Sequence, residues 1–320
     1  MSNFEQDVNA DVQPAWLFVY FRQIYGERVE IAPDGSTYTV PITDRPYRAE
    51  SLHYAYSRDA RVWTPLNGNL PVLENIAGKY KIRDPFIRRG PDGVYRMLAT
   101  GGDNGREILY ASSEDLINWT DQRTIPIMAA QPGAVSAWAP EFYYDEHEGN
   151  YLVFWSSSFG KEGWDHSRIW SARTTDFREF SAPSMLFDPG YTIIDATIAE
   201  SAGVYYMLYK DERFGHEHGE HRYMKVATAS ALGGPYTVVD DQPVTPTLTE
   251  GPSLIYLESS EEWQLSYDHC MANGYGASVS KDLLTWSEVT GCEFPADARH
   301  GTILKISGET LETLLQAFPS

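Results

Sequence analysis

Short runs of aromatic and aliphatic residues recur along the whole chain, and polar turn residues separate them. Five of these runs are rich in aromatic residues and have the length of a β-strand; they cover residues 16–21, 95–100, 151–156, 205–210 and 263–268. Apolar residues at helical spacing are almost absent except in residues 308–318, which we predict to form a short terminal helix. The pattern therefore predicts an all-β protein.

A second pattern marks a turn that follows the third strand of each repeat. Ser or Thr stands two residues before Asp, and an aromatic residue follows Asp by four positions. The copies begin at Ser57, Ser113, Thr174 and Ser280, with a degenerate copy over residues 228–236. We interpret each copy as an Asp-nucleated turn that leads into a short fourth strand.

A third pattern places an ionisable residue at the start of an inner strand in each repeat. These residues, 50 to 57 positions apart, are Asp84, Glu141, Asp195, Glu250 and His300. Four short strands repeated five times predict a five-bladed β-propeller with four-stranded blades. The N-terminal repeat lacks an inner strand and the C-terminal repeat has little else. We therefore expect strands from both termini to close the last blade.

No linker or low-complexity segment interrupts the sequence, so we expect residues 1–320 to form one domain with a flexible segment at 1–14. That N-terminal segment is polar and acidic and lacks the build of a signal peptide, and no apolar run is long enough to span a bilayer. These features predict a cytoplasmic protein. Cys270 and Cys292 are expected to be free thiols in such a reducing compartment, although pairing between them stays open.

The charge of the chain limits the class of partner. Its formal charge is −20, from 25 basic and 45 acidic residues. Such a field repels nucleic acids, anionic membranes and polyanionic polysaccharides, so a neutral ligand is expected. Aromatic residues make up 13% of the chain, and flat aromatic rings stack well on sugar faces.

The inner strands of a propeller line its central channel, so the five ionisable residues are expected to converge at one end. Four carboxylates that lie close together cannot all be ionised without strong repulsion, so the pKa of at least one must rise. A proton donor and a base on opposite sides of one bond are the requirement of glycoside hydrolysis. The sequence therefore predicts a glycosidase site.

The motifs around these residues resemble glycoside hydrolase family 43, in particular its arabinofuranosidase-like members. No single motif is specific, but all five occur in order over nearly the whole chain: Arg83-Asp84-Pro85, Trp138-Ala139-Pro140-Glu141, Ile194-Asp195-Ala196, Glu250-Gly251-Pro252 and Arg299-His300-Gly301. The resemblance implies an inverting enzyme in which Asp84 is the general base and Glu250 the general acid. It also implies that Asp195 keeps Glu250 protonated and oriented.

Further residues of these motifs are candidates for binding substrate. Glu141 either binds a sugar hydroxyl or pairs with an arginine, and Trp138 either stacks on substrate or wedges between blades. Lys210 either contacts a sugar or belongs to a solvated charged run, and Arg299 steadies the acid or contacts a hydroxyl.

His300 is a candidate for substrate binding and for a metal ion. The resemblance implies a central ion, often Ca²⁺, that such a histidine contacts mostly through waters. A single imidazole is a poor ligand for a hard cation, so we expect no required cofactor and leave a structural Ca²⁺ at the channel centre open. The histidine-rich run at residues 216–221 lacks the spacing of a zinc-binding helix.

The resemblance implies an exo-acting α-L-arabinofuranosidase that trims neutral oligosaccharides. A β-xylosidase or a β-D-galactofuranosidase of the same fold is the alternative, and the oligomeric state is not determined. A fructosidase-type hydrolase is disfavoured, because Glu250 is followed by glycine and the chain lacks an Asn-Asp-Pro-Asn motif. A non-catalytic carbohydrate-binding propeller is the alternative from another functional class.

Overall fold

The computed structural model describes residues 13–23, 27–31, 37–41, 50–102, 105–160, 166–216, 218–270 and 274–319. Most of the segment expected to be flexible, residues 1–14, lies outside them. In chain order the strands are β1 (Ala15–Arg22), β2 (Glu27–Ile31), β3 (Thr37–Pro41), β4 (His53–Ser57), β5 (Thr64–Pro65), β6 (Arg83–Arg89), β7 (Tyr95–Thr100), β8 (Ile108–Ser113), β9 (Thr120–Ile125), β10 (Trp138–Asp145), β11 (Asn150–Ser157), β12 (Arg168–Thr174), β13 (Ser184–Phe187), β14 (Ile193–Ser201), β15 (Val204–Asp211), β16 (Tyr223–Ala229), β17 (Thr237–Val238), β18 (Thr249–Leu257), β19 (Glu262–His269), β20 (Tyr275–Ser280), β21 (Ser287–Val289) and β22 (Ala298–Ile306). One α-helix, α1 (Gly308–Ala317), follows the last strand.

Twenty of these strands form five antiparallel sheets of four, which confirms the predicted five-bladed propeller. Blade I has the order β22-β1-β4-β5, and blades II to V are β6–β9, β10–β13, β14–β17 and β18–β21. The first strands of successive blades contact one another around a ring, so they surround the propeller axis. Strands β2 and β3 form a separate hairpin that the sequence patterns did not predict.

Blade I is built from both ends of the chain, as expected. β1 pairs antiparallel with β22, from Ala15 opposite Ile306 to Arg22 opposite Ala298. Helix α1 then follows and is capped by Ser307, whose side chain accepts a hydrogen bond from the backbone N–H of Thr310. Its buried leucines join the same apolar cluster as residues of β1, which secures this closure.

The Ser-x-Asp motifs form the predicted turns. In the copy at Ser113, the Oδ1 atom of Asp115 accepts hydrogen bonds from the backbone N–H groups of Ile117 and Asn118 at 2.9 and 2.8 Å. Leu116 lies between them with a φ of 63° and a fully buried side chain. Each turn therefore satisfies the backbone at a blade's edge and anchors one side chain in the core.

Aromatic side chains pack between neighbouring blades. Phe142 of blade III contacts Phe86 of blade II edge-on, with ring centroids 5.2 Å apart, and Phe177 of its own blade at 5.1 Å. Aromatic rings from inner strands and from a turn thus fill the wedge between these two blades. Cys270 and Cys292 are both free thiols, and no helix in the described ranges is long and apolar enough to cross a membrane.

Candidate active site

The inner strand of every blade is irregular at the same level. In blade II the pairing moves from Arg83–Thr100 to Phe86–Leu98, so two residues of β6 face one residue of β7. Equivalent shifts occur in the other four blades. Such bulges turn backbone and side chains out of the regular ladder, which suits the wall of a site.

The bulges show which ionisable residues are structurally equivalent. Asp84 and Asp195 both occupy the first bulge position, with φ values of 49° and 51°, and His300 stands at the corresponding shift in β22. Glu250 comes one residue before this position and Glu141 two residues after it. The five residues therefore do not all occupy equivalent positions, and sequence spacing alone does not show where the bulge of each inner strand lies.

Six of the predicted site residues nevertheless line one cavity of about 170 Å³: Asp84, Trp138, Asp195, Glu250, Arg299 and His300. They come from all five blades, so the cavity lies where the inner strands converge. Its volume is below the roughly 300–1,000 Å³ typical of sites for drug-sized ligands. A site of this size suits a single small ring.

His300 lies between two of the carboxylates. Its Nδ1 atom is 3.6 Å from Oδ1 of Asp84 and 3.7 Å from Oδ2 of Asp195. Gly251 packs against this imidazole so closely that a Cβ atom there would lie 2.6 Å from Cγ of His300. The glycine at this bulge is therefore required by contact as well as by its φ of 65°.

Asp195 is held in a buried position by backbone groups. Its own N–H donates to Oγ of Ser156 at 2.9 Å, and its Oδ2 accepts from the N–H of Gly251 at 3.2 Å. Burial raises the pKa of Asp195 well above its usual value, and the negative charge of Glu250 raises it further. Both effects favour the protonated form of Asp195.

Glu250 is clamped by two cations. Nζ of Lys210 donates to its Oε2 at 2.7 Å, and the Arg299 guanidinium donates to its Oε1. Burial raises the pKa of Glu250, but Lys210 and Arg299 outweigh burial and lower the pKa to about 2. These two contacts favour the ionised form of Glu250. The role expected for Asp195, which is to keep Glu250 protonated and oriented, stays a prediction.

A residue that sequence reasoning missed supports this clamp. Oδ2 of Asp268, at the end of β19, lies 3.0 Å from Nε of Arg299 and accepts a hydrogen bond from the backbone N–H of His300 at 2.7 Å. Burial raises the pKa of Asp268 to about 6, although the Arg299 charge opposes that rise. In the sequence Asp268 only ends an aromatic strand, so nothing distinguished it from a turn residue.

Two predicted substrate-binding residues are not part of the cavity wall. Glu141 is only 6% exposed, and Oγ1 of Thr197 donates to its Oε2 at 2.9 Å. Burial raises the pKa of Glu141 to about 8. Lys210 is 1% exposed and reaches the cavity only through Glu250 and Glu212. The structure thus places both residues behind the wall.

The remaining lining residues include five that were not predicted to bind substrate: Phe21, Arg83, Thr100, Ile194 and Glu212. The Arg83 guanidinium lies over the Phe21 ring, 5.2 Å from its centroid. The Arg-Asp-Pro motif could have identified Arg83 as a lining residue, and the charged run that begins at Lys210 could have identified Glu212. Phe21 resembles any core aromatic, so no sequence signal could have found it.

A family model described as "Probable glycosyl hydrolase domain", of the group related to glycoside hydrolase family 43, matches residues 41–312. The chain belongs to this family. The match includes the inner strands of all five blades and confirms the resemblance that the ordered motifs predicted.

Individual relatives are more distant. An α-L-arabinofuranosidase from Bifidobacterium longum subsp. longum is 28% identical over 220 residues, which are 59% of this chain and 21% of that protein. The match thus spans about a fifth of the relative's length.

Solved structures share the propeller. The crystal structure of a thermostable family-43 glycoside hydrolase has a TM-score of 0.57 at 19% identity, over 73% of this chain and 82% of that chain. An endo-1,4-β-xylanase from Bacteroides thetaiotaomicron VPI-5482 has a TM-score of 0.56 at 11% identity, over 89% and 98%. At these identities the similarity shows the fold alone.

The residues around His300 do not form a direct metal site. Among the described residues, no three His, Cys, Asp or Glu side chains are arranged to hold an ion. The two carboxylates near Nδ1 supply oxygen atoms of the kind that Ca²⁺ prefers. A calcium ion bound through waters at the channel centre therefore stays a prediction.

Proposed function

We propose that this chain is an inverting exo-glycosidase that removes a terminal neutral sugar, with an α-L-arabinofuranoside as the first candidate. The observation that carries the proposal is the convergence of Asp84, Asp195 and Glu250 from three blades on one small cavity. Family membership supports glycoside hydrolysis as the reaction class.

The proposed mechanism divides the proton transfers between two carboxylates. Asp84 accepts a proton from the water that attacks the anomeric carbon, and Glu250 donates a proton to the departing glycosidic oxygen. Their strands belong to blades II and V, which blade I separates. An inverting pair needs a separation of roughly 6.5–9.5 Å to leave room for that water, and two non-adjacent blades suit this requirement.

Asp195 and Glu250 act as one unit in this proposal. The negative charge of Glu250 raises the proton affinity of Asp195, and in this proposal the two carboxylates share one proton. When the pair transfers this proton to Glu250, Glu250 becomes the acid and Asp195 the ionised neighbour. Asp195 is then a positioning residue for the proton donor.

The proposed substrate is a neutral sugar. The net charge of −20 disfavours anionic substrates. The curated relative is named an arabinofuranosidase, and a fold relative is named a xylanase. An α-L-arabinofuranoside is therefore preferred on the sequence match, with β-xylosides and β-galactofuranosides as the other members of the test panel.

The test is hydrolysis of aryl α-L-arabinofuranoside, β-D-xyloside and β-D-galactofuranoside by the wild type, Asp84→Asn and Glu250→Gln. Loss of the base should reduce kcat by roughly 10²–10⁴-fold. Loss of the acid should be milder for aryl groups that leave without protonation. Full activity in Asp84→Asn would refute the proposed mechanism, and sugar binding without turnover of any substrate would favour a binding module.

A further inference from the structure

Lys210 lies between two carboxylates that line the cavity. Its Nζ atom is 2.7 Å from Oε2 of Glu250 and 2.7 Å from Oε2 of Glu212. Its side chain is 2% exposed, so the ammonium has almost no access to solvent. One buried positive charge is therefore shared equally between the proposed acid and a second carboxylate.

The backbone fixes this arrangement. Lys210 lies in β15, where it pairs with Ile194 of β14 on one side and Met224 of β16 on the other. Glu212 follows by two residues, and its N–H donates to the carbonyl oxygen of Thr192 at 3.1 Å. Side chains two positions apart in an extended chain point to the same side, so Lys210 lies beside Glu212, which lines the cavity, while Lys210 itself lies behind the wall.

Several charges surround Glu250 from the packed strands. The cationic or titratable groups are Lys210, Arg299, His300 and the Cys270 thiol, and the acidic groups are Asp195, Glu212 and Asp268. Arg299 is already paired with Asp268. Lys210 is thus the cation that can move from Glu250 to another partner, because Glu212, its second partner, also borders the cavity.

A general acid must carry a proton, yet the two cations favour the ionised form of Glu250. We propose that Lys210 is a positioning residue that gives up Glu250 and stays paired with Glu212 when Glu250 takes up the proton that it donates. This rests on the proposed function. Charge balances in that step, because the proton comes from Asp195, which becomes the anion as Glu250 becomes neutral, while Lys210 and Glu212 remain a pair of opposite charges.

Two substitutions should act in opposite directions on the pH dependence of kcat/KM. Lys210→Met removes the cation that favours ionised Glu250. The basic limb of the profile, where kcat/KM falls at high pH, should therefore move to higher pH by roughly 1–3 units. Glu212→Gln removes the competing carboxylate and leaves the ammonium to Glu250, so the same limb should move to lower pH. A role in sugar binding would instead raise KM and leave the limb in place.

Lys225→Met is the matched control. Lys225 is also fully buried, on the neighbouring strand β16, and it lies 3.2 Å from Oδ2 of Asp211 rather than near Glu250. Its loss should lower stability in the same way without moving the basic limb. If Lys210→Met fails to fold, the nearly isosteric Glu212→Gln decides the question alone.

A ¹³C NMR titration of glutamate carboxyl groups separates this inference from the proposed function. The Glu250 signal is identified by its absence in Glu250→Gln. The pH midpoint of its titration should rise in Lys210→Met and fall in Glu212→Gln. Unmoved midpoints, or shifts in the same direction, would overturn the role of Lys210. Opposite shifts in a protein that hydrolyses none of the glycosides would support this charge sharing and overturn the proposed function.

Discussion

Nε of Arg299 lies 3.0 Å from Oδ2 of Asp268, and both side chains are buried, at 2% and 0% exposure. The same guanidinium binds Glu250, and the same carboxylate accepts the backbone N–H of His300. A residue at the end of the second strand of blade V therefore positions two neighbours in the cavity wall.

Asp268→Asn tests this relationship. Removal of one partner from a buried ion pair leaves the other charge poorly compensated, so we expect unfolding free energy to fall by about 3 kcal/mol at pH 7. Urea denaturation measures this loss. The control Glu258→Gln removes a carboxylate from the exposed pair with Lys305 and should change stability by less than about 0.5 kcal/mol. Equal losses in the two variants would contradict the structural role of Asp268.

Glu141 should make the protein less stable as pH rises. Its pKa is raised by burial from 4.5 to about 8, so the folded state binds more protons than the unfolded state between these values. Stability is therefore lost as the pH rises through that range. Glu141→Gln cannot ionise and keeps an acceptor for Thr197, so its unfolding free energy relative to wild type should increase from pH 5 to pH 8. A difference that stays constant over this range, as expected for Glu258→Gln, would contradict the raised pKa.

Gly251→Ala should disrupt the cavity by contact rather than by backbone strain alone. Its Cβ atom would lie 2.6 Å from Cγ of His300. Gly203 has a similar positive φ of 79°, but a Cβ atom at that position would meet nothing within 4 Å, which makes Gly203→Ala the matched control. We expect about 1 kcal/mol of destabilisation in the control and at least about 2 kcal/mol more in Gly251→Ala, with loss of turnover. Equal effects in thermal denaturation would show that the contact with His300 is unimportant.

Asp115→Ala tests the Ser-x-Asp turns. The substitution leaves two backbone N–H groups without their acceptor, so a loss of about 1–2 kcal/mol is expected at pH 7. Hydrogen bonds from Asn118, Ile117 and Ser113 outweigh partial burial and lower the pKa of Asp115 to about 2. The contribution of this lowered pKa is present above the usual value of 3.8 and fades as pH falls towards 2. Urea denaturation at pH 7 and pH 3 should therefore show a smaller difference at pH 3, whereas the adjacent Glu114→Ala should show little loss at either pH.

The fold could be predicted from sequence because each repeat carries its own local signals. The turn at Asp115 needs only residues within four positions, and the closure of blade I follows from an incomplete repeat at each end. The β2–β3 hairpin belongs to no repeat, which explains why the periodic patterns missed it.

The site was predicted in composition but not in its electrostatics. Asp84, Asp195 and Glu250 do line one cavity, as their spacing indicated. The clamp on Glu250 depends on Lys210 and Arg299, which are 40 and 49 positions away and meet it only after folding. Charge pairing of that kind has no local sequence signature, so the sequence did not show that two cations would favour the ionised form of Glu250.

The most direct test of the central claim is the anomeric configuration of the first sugar released by the wild type, followed by ¹H NMR before mutarotation. Hydrolysis through water activated by Asp84 predicts a product of inverted configuration. Asp84→Asn should release little of that product. A product of retained configuration, or unchanged release by Asp84→Asn, would contradict the assignment of Asp84 as the base of an inverting glycosidase.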